Sequence, residues 1–95
     1  MEWDKKTEMV LYLNEGLYEK ATDLVIENID EMDEQAWEMF FSGIELTTET
    51  MKTLIERHHI ISNHVNEIGL KTGSLRTALR MAQYENLVNK LKNEK

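Results

Sequence analysis

Apolar residues recur along most of this chain at intervals of three and four, the period of a helix with one buried face. The most regular stretch is Met51, Leu54, His58, Ile61, Val65 and Ile68, separated by 3, 4, 3, 4 and 3 residues. That spacing predicts one helix over 48–69, capped by Thr47 or Thr48 and ended by Gly69 in the left-handed conformation. Val10, Leu13 and Leu17 predict a first helix capped by Asp4, and Asn14 and Gly16 suggest a break after it. Leu17, Ala21, Leu24, Val25, Ile29 and Met32 continue with helical period. A third helix, over 33–42, carries Ala36, Trp37, Met39, Phe40 and Phe41, and the carboxylates of Asp30, Glu31, Asp33 and Glu34 at its start complement its dipole. A last helix over 74–91 is expected to turn Leu75, Ala78, Leu79, Ala82, Leu87, Val88 and Leu91 inward, with residues 93–95 frayed.

Proline is absent and the four glycines fall between the periodic segments. The expected fold is therefore all-α, a compact bundle of four or five helices in one domain spanning 1–95. With no cysteine, disulfides and thiolate metal sites are excluded. The longest uninterrupted apolar run, Met9 to Leu13, is too short to span a bilayer. Residues Met1 to Lys6 lack the apolar core of a signal peptide, and a cytoplasmic location without membrane contact is expected.

Charge divides the chain in two. Residues 1–50 hold 3 Lys or Arg against 14 Asp or Glu, a balance of −11, whereas residues 51–95 hold 8 against 4, or +4. The acidic half should repel nucleic acid, and the basic half could attract it.

Within the basic half, residues 61–80 read ISNHVNEIGLKTGSLRTALR. Two helical segments lie about a Gly turn, and the second places basic and hydroxyl groups outward. This stretch resembles the helix-turn-helix of phage-repressor-type DNA-binding regulators. The resemblance implies six DNA-binding side chains, Lys71, Thr72, Ser74, Arg76, Thr77 and Arg80, with base-contact positions at Thr72, Gly73, Arg76 and Thr77 and phosphates held by Lys71 and Arg80. An ordinary helical hairpin with solvated arginines is the competing reading.

Trp37, Met39, Phe40 and Phe41 cover more of one helix than a single buried stripe needs. They are expected to form a protein interface, through which the chain is a homodimer, or else to be buried from both sides. Arg57 and His64, six residues between them, resemble the Arg-x(4–6)-His motif of the helical ribonucleases called HEPN domains, which would imply phosphate stabilisation and proton transfer. His58 falls on the buried seam, and the histidines and glutamates lack the paired spacing of a di-metal site.

The first functional expectation is a small, non-catalytic regulator that binds DNA through a helix-turn-helix, with neither cofactor nor metal. The alternative is an acidic protein–protein interaction module, inhibitor or antitoxin-like, that occupies a basic partner surface and ignores DNA.

Overall fold

The structure, a computed structural model, describes residues 4–94. Met1 to Trp3, part of the segment read above for a signal peptide, and Lys95, in the tail expected to fray, lie outside them. The described residues form six α-helices and no strand: α1 Lys6–Asn14, α2 Tyr18–Glu27, α3 Glu34–Gly43, α4 Thr48–Thr53, α5 Ile55–Ile68 and α6 Leu75–Asn93. A single 3-10 turn, Ile29–Glu31, links α2 to α3. The bundle is the expected all-α class, with one more helix because the long seam segment is divided.

Each boundary has a local cause. Asp4 does not cap α1, whose N-cap is Lys5 with no side-chain bond. At its other end Gly16 takes φ 76°, and the Leu17 amide reaches back to the Tyr12 carbonyl at 2.8 Å. That left-handed residue turns the chain between α1 and α2. Asp33 starts α3, its Oδ1 accepting the Ala36 amide at 2.8 Å, while the Lys6 ammonium lies 2.9 Å from its other oxygen and ties α1 to α3. Thr47 caps α4 through the Thr50 amide.

The predicted helix over 48–69 breaks at Leu54, which has φ −117° and ψ 27°. Thr53 returns its hydroxyl to the Glu49 carbonyl, a side-chain bond that bends helices, in a segment already rich in β-branched threonines. The seam survives the break, since Met51, Leu54, His58, Ile61 and Val65 are all buried. Ile68 is the exception, half exposed beside the left-handed Gly69 (φ 62°) that ends α5. The Leu70 amide then bonds the Val65 carbonyl, folding Leu70 back against the core.

The longest helix, α6, packs against α3, α4 and α5, while α1 packs on α2 and α3, and α2 on α5. The α1–α3 approach is close at Gly43, where a Cβ would meet the Leu13 side chain at 3.0 Å. Sandwiched between α1 and α6, α3 buries Ala36, Trp37, Phe40 and Phe41 completely. Trp37 stacks on Phe41 at 5.8 Å, and Phe41 meets Tyr84 of α6 edge-on at 5.1 Å.

The face of α6 differs from expectation. Leu75 and Leu79 are 76% and 58% exposed, and Ala78 and Ala82 are also exposed. The inward face is Thr77, Tyr84, Val88 and Leu91, with Met81 and Leu87 partly buried beside it. Two apolar stripes compete on this helix, and the one holding Tyr84 wins because it carries the larger side chains and reaches polar partners on α3 and α5. Truncating Ile61 to Ala should therefore cost about 2–4 kcal/mol of unfolding free energy, whereas Leu79→Ala should change it by less than about 0.5 kcal/mol. Urea titrations of both variants measure the contrast, which the predicted inward face of α6 would reverse.

Candidate functional site

The six residues offered to DNA are divided by the fold. Lys71 and Arg76 are exposed. Thr72 donates its hydroxyl to the Ser74 carbonyl at 3.1 Å, and Ser74 caps α6 by accepting the Thr77 amide. Thr77 is buried, which removes it from any base edge. Arg80, expected outward, turns inward: its Nε donates to the Phe41 carbonyl and its Nη2 to the Ile44 carbonyl. The last carbonyls of a helix have no intrahelical donor and carry its negative dipole end, so a guanidinium fork fits there. Burial lowers the Arg80 pKa, with Arg76 adding repulsion. The connection from Gly69 to Ser74 spans six residues, longer than the three or four of a helix-turn-helix.

The proposed aromatic interface is likewise consumed. Trp37, Phe40 and Phe41 are fully buried within the chain and Met39 is partly buried against them, so none of the three rings is available to a second subunit. The wide apolar arc of α3 is covered from both sides, by α1 and by α6. Arg57 and His64 do not converge on a cleft. Arg57 pairs with Asp23 of α2 at 2.5 Å and lies 3.8 Å from Glu19, while the His64 ring lies 6.1 Å from Trp37. Among the described residues no group of three or more His, Asp or Glu is placed to hold a metal ion.

A feature the sequence pattern did not reveal is the buried pair of His58 and Tyr84, whose Nδ1 and hydroxyl lie 2.8 Å apart. The hydroxyl is also 3.4 Å from the His58 carbonyl, and the imidazole Nε2 is buried with no partner. Every proton is satisfied if Nδ1–H donates to the Tyr84 oxygen and that hydroxyl donates to the carbonyl. Protonating Nε2 would bury an N–H with no acceptor. Desolvation therefore holds the His58 pKa at about 4, with repulsion from Arg57 and then His59 adding to it. Burial pushes the Tyr84 hydroxyl above its ordinary range.

Two consequences can be measured. The His58 value of about 4 lies below the ~6.5 of an unfolded histidine, so the unfolded chain binds the extra proton. This contribution to stability is complete above pH ~6.5 and is lost as pH falls toward 4, by about 3 kcal/mol across the window. Melting curves from neutral pH to pH 4 should show this loss, and His58→Phe should flatten the part that exceeds carboxylate titration. Arg80→Ala should cost about 1–3 kcal/mol by stranding two carbonyls, while Arg76→Ala should stay within about 0.5 kcal/mol of wild type. Equal effects at 76 and 80 would contradict the inward placement of Arg80.

No protein-family model, curated protein or solved structure matches the chain.

Proposed function

We propose that this chain is a protein-binding module whose acidic surface docks on a basic partner, in the manner of an inhibitor or antitoxin, and that it does not bind DNA. The observation that carries this reading is the inward turn of Arg80, which takes one of the expected phosphate contacts out of the helix-turn-helix set. Arg80 holds α3 carbonyls, Arg57 pairs with α2, and Lys6 pairs with Asp33. Lys71 and Arg76 then remain from the helix-turn-helix set to meet phosphates. Two phosphate contacts yield a small counterion release, and a chain of net charge −7 must work against its own field.

The acidic half offers a specific place for a basic side chain. At the end of α2 an open hollow is lined by Ile26, Glu27, Asn28, Ile29, Asp30 and Glu31. Ile26 and Ile29 are partly buried there, and the three carboxylate residues around them are exposed. A Lys or Arg stem could lie on the isoleucines with its head among the carboxylates. Of these carboxylates, Glu27 stands at the negative end of the α2 dipole, and the last turn of α2 contains no basic residue. A cation bound there would also meet the negative end of that dipole.

Fluorescence anisotropy with a Lys/Arg-rich peptide and with a random-sequence duplex tests the reading. The peptide should bind at about 50 mM salt and weaken toward about 200 mM, while the duplex should not bind at either. Reversing Glu27, Asp30 and Glu31 to Lys should weaken the peptide at least about tenfold, or 1.4 kcal/mol, more than the same reversals at Glu15, Glu45 and Glu67. Duplex binding at low salt that Arg76→Ala abolishes would restore the helix-turn-helix reading and overturn this one.

A further inference from the structure

The rotation of α6 leaves a second seam on its outer side. Leu75, Leu79, Ala82, Asn86, Asn89 and Asn93 are spaced 4, 3, 4, 3 and 4 apart, and all six are exposed. That is a heptad line with Leu75, Ala82 and Asn89 at d and Leu79, Asn86 and Asn93 at a. It is uncharged from end to end in a chain whose residues are 31% charged. Residues 68–84 contain neither Asp nor Glu, although the Glu34 carboxylate of α3 accepts the Gly73 amide just before the helix. The inner core uses the opposite side of the helix, so the two faces do not compete.

We infer that this face pairs with the same face of a second copy, as a parallel two-stranded coiled coil along α6. The charges beside the seam favour that occupant and that direction. Parallel pairing sets each g position against the e′ position five residues on, which brings Ala78 to Gln83 and sets Lys90 of one chain toward Glu85 of the other. The Glu85 Oε2 already accepts the Ser62 hydroxyl of its own α5 at 2.8 Å, and its second oxygen is left for the pair. Antiparallel pairing sets e against e′, bringing Arg76 toward Lys90, two cations. Asn86 and Asn93 at a positions meet their own counterparts in the parallel register, the arrangement in which buried asparagine fixes partner and alignment at a cost in stability. The main packing partners of α6 are α3, α4 and α5 rather than the acidic helices α1 and α2, so the seam keeps most of the negative charge of those two helices apart.

The pairing is weak by construction. The seam runs along a helix of 19 residues, about 28 Å, with two leucines and three asparagines. A single helix pair falls at the low end of specific interface sizes, below roughly 1,200 Å², and a Kd of order 10–100 μM follows for so polar a core.

Sedimentation equilibrium of the full chain across that concentration range tests it. Wild type should shift from monomer to dimer. Leu79→Lys should remain monomeric with unchanged circular dichroism and melting, since that side chain is exposed, and it should bind the Lys/Arg-rich peptide as wild type does. Failure of the acidic-surface reading is thereby separable from failure of this one. Asn86→Leu should tighten the dimer at least tenfold. Because the chain has no cysteine, Asn86→Cys should oxidise to a covalent dimer under conditions in which Glu45→Cys does not. A wild type that stays monomeric, a Leu79→Lys chain that still dimerises, or an Asn86→Cys chain that does not cross-link would each overturn the proposal. Capture of a foreign helix by a monomeric wild type, abolished by Leu79→Lys, would overturn it too and assign the face to another protein.

Discussion

The carbonyls left open at the C-terminal end of α3 need a donor, and Arg80 supplies it from α6. Much of the architecture depends on that contact. It fixes the rotation of α6 about its own axis, and with it the inward placement of Tyr84 and Val88. Tyr84 then meets both Phe41 and His58, joining α3 and α5 through one side chain. The same rotation turns Leu75 and Leu79 to solvent. One partly buried guanidinium thus removes a residue from the DNA-facing set, helps close the core and creates the outer seam.

Helical class, the Gly16 and Gly69 turns, and the buried seam from Met51 to Val65 were legible in the sequence, because each rests on local geometry or on a period that one stripe dominates. The break at Leu54 was not, since it depends on a threonine hydroxyl choosing a backbone carbonyl over solvent. The facing of α6 is hidden from the sequence for a different reason. Leu75, Ala78, Leu79 and Ala82 form an apolar stripe as good as the one holding Thr77, Met81, Tyr84 and Val88, and nothing local ranks them. Hydropathy also marks arginine as outward, whereas its long stem and planar fork suit it to a helix end inside a bundle.

The aromatic run on α3 shows the same limit. Residues 36, 37, 40 and 41 cover a wide arc, which pattern alone assigns equally to an interface and to a helix packed on two sides. Only the positions of α1 and α6 decide between them. For the candidate sites, Lys71 and Arg76 lay outward as expected, while Thr77 and Arg80 did not. The pairing of His58 with Tyr84, 26 residues apart, depends on a tertiary crossing that no spacing rule encodes.

The helices of the acidic half end without basic residues: the last turns of α1, α2 and α3 contain none. Cross-helix ion pairs involve Lys6 and Arg57, against an excess of exposed carboxylates on the same helices. Long-range electrostatics in this half are therefore net repulsive, and mobile ions shorten their reach to about 8 Å at physiological ionic strength. The folded state consequently gains stability as ionic strength rises, the inverse of a protein held together by its ion pairs. A dilute buffer is the harsher medium for this chain.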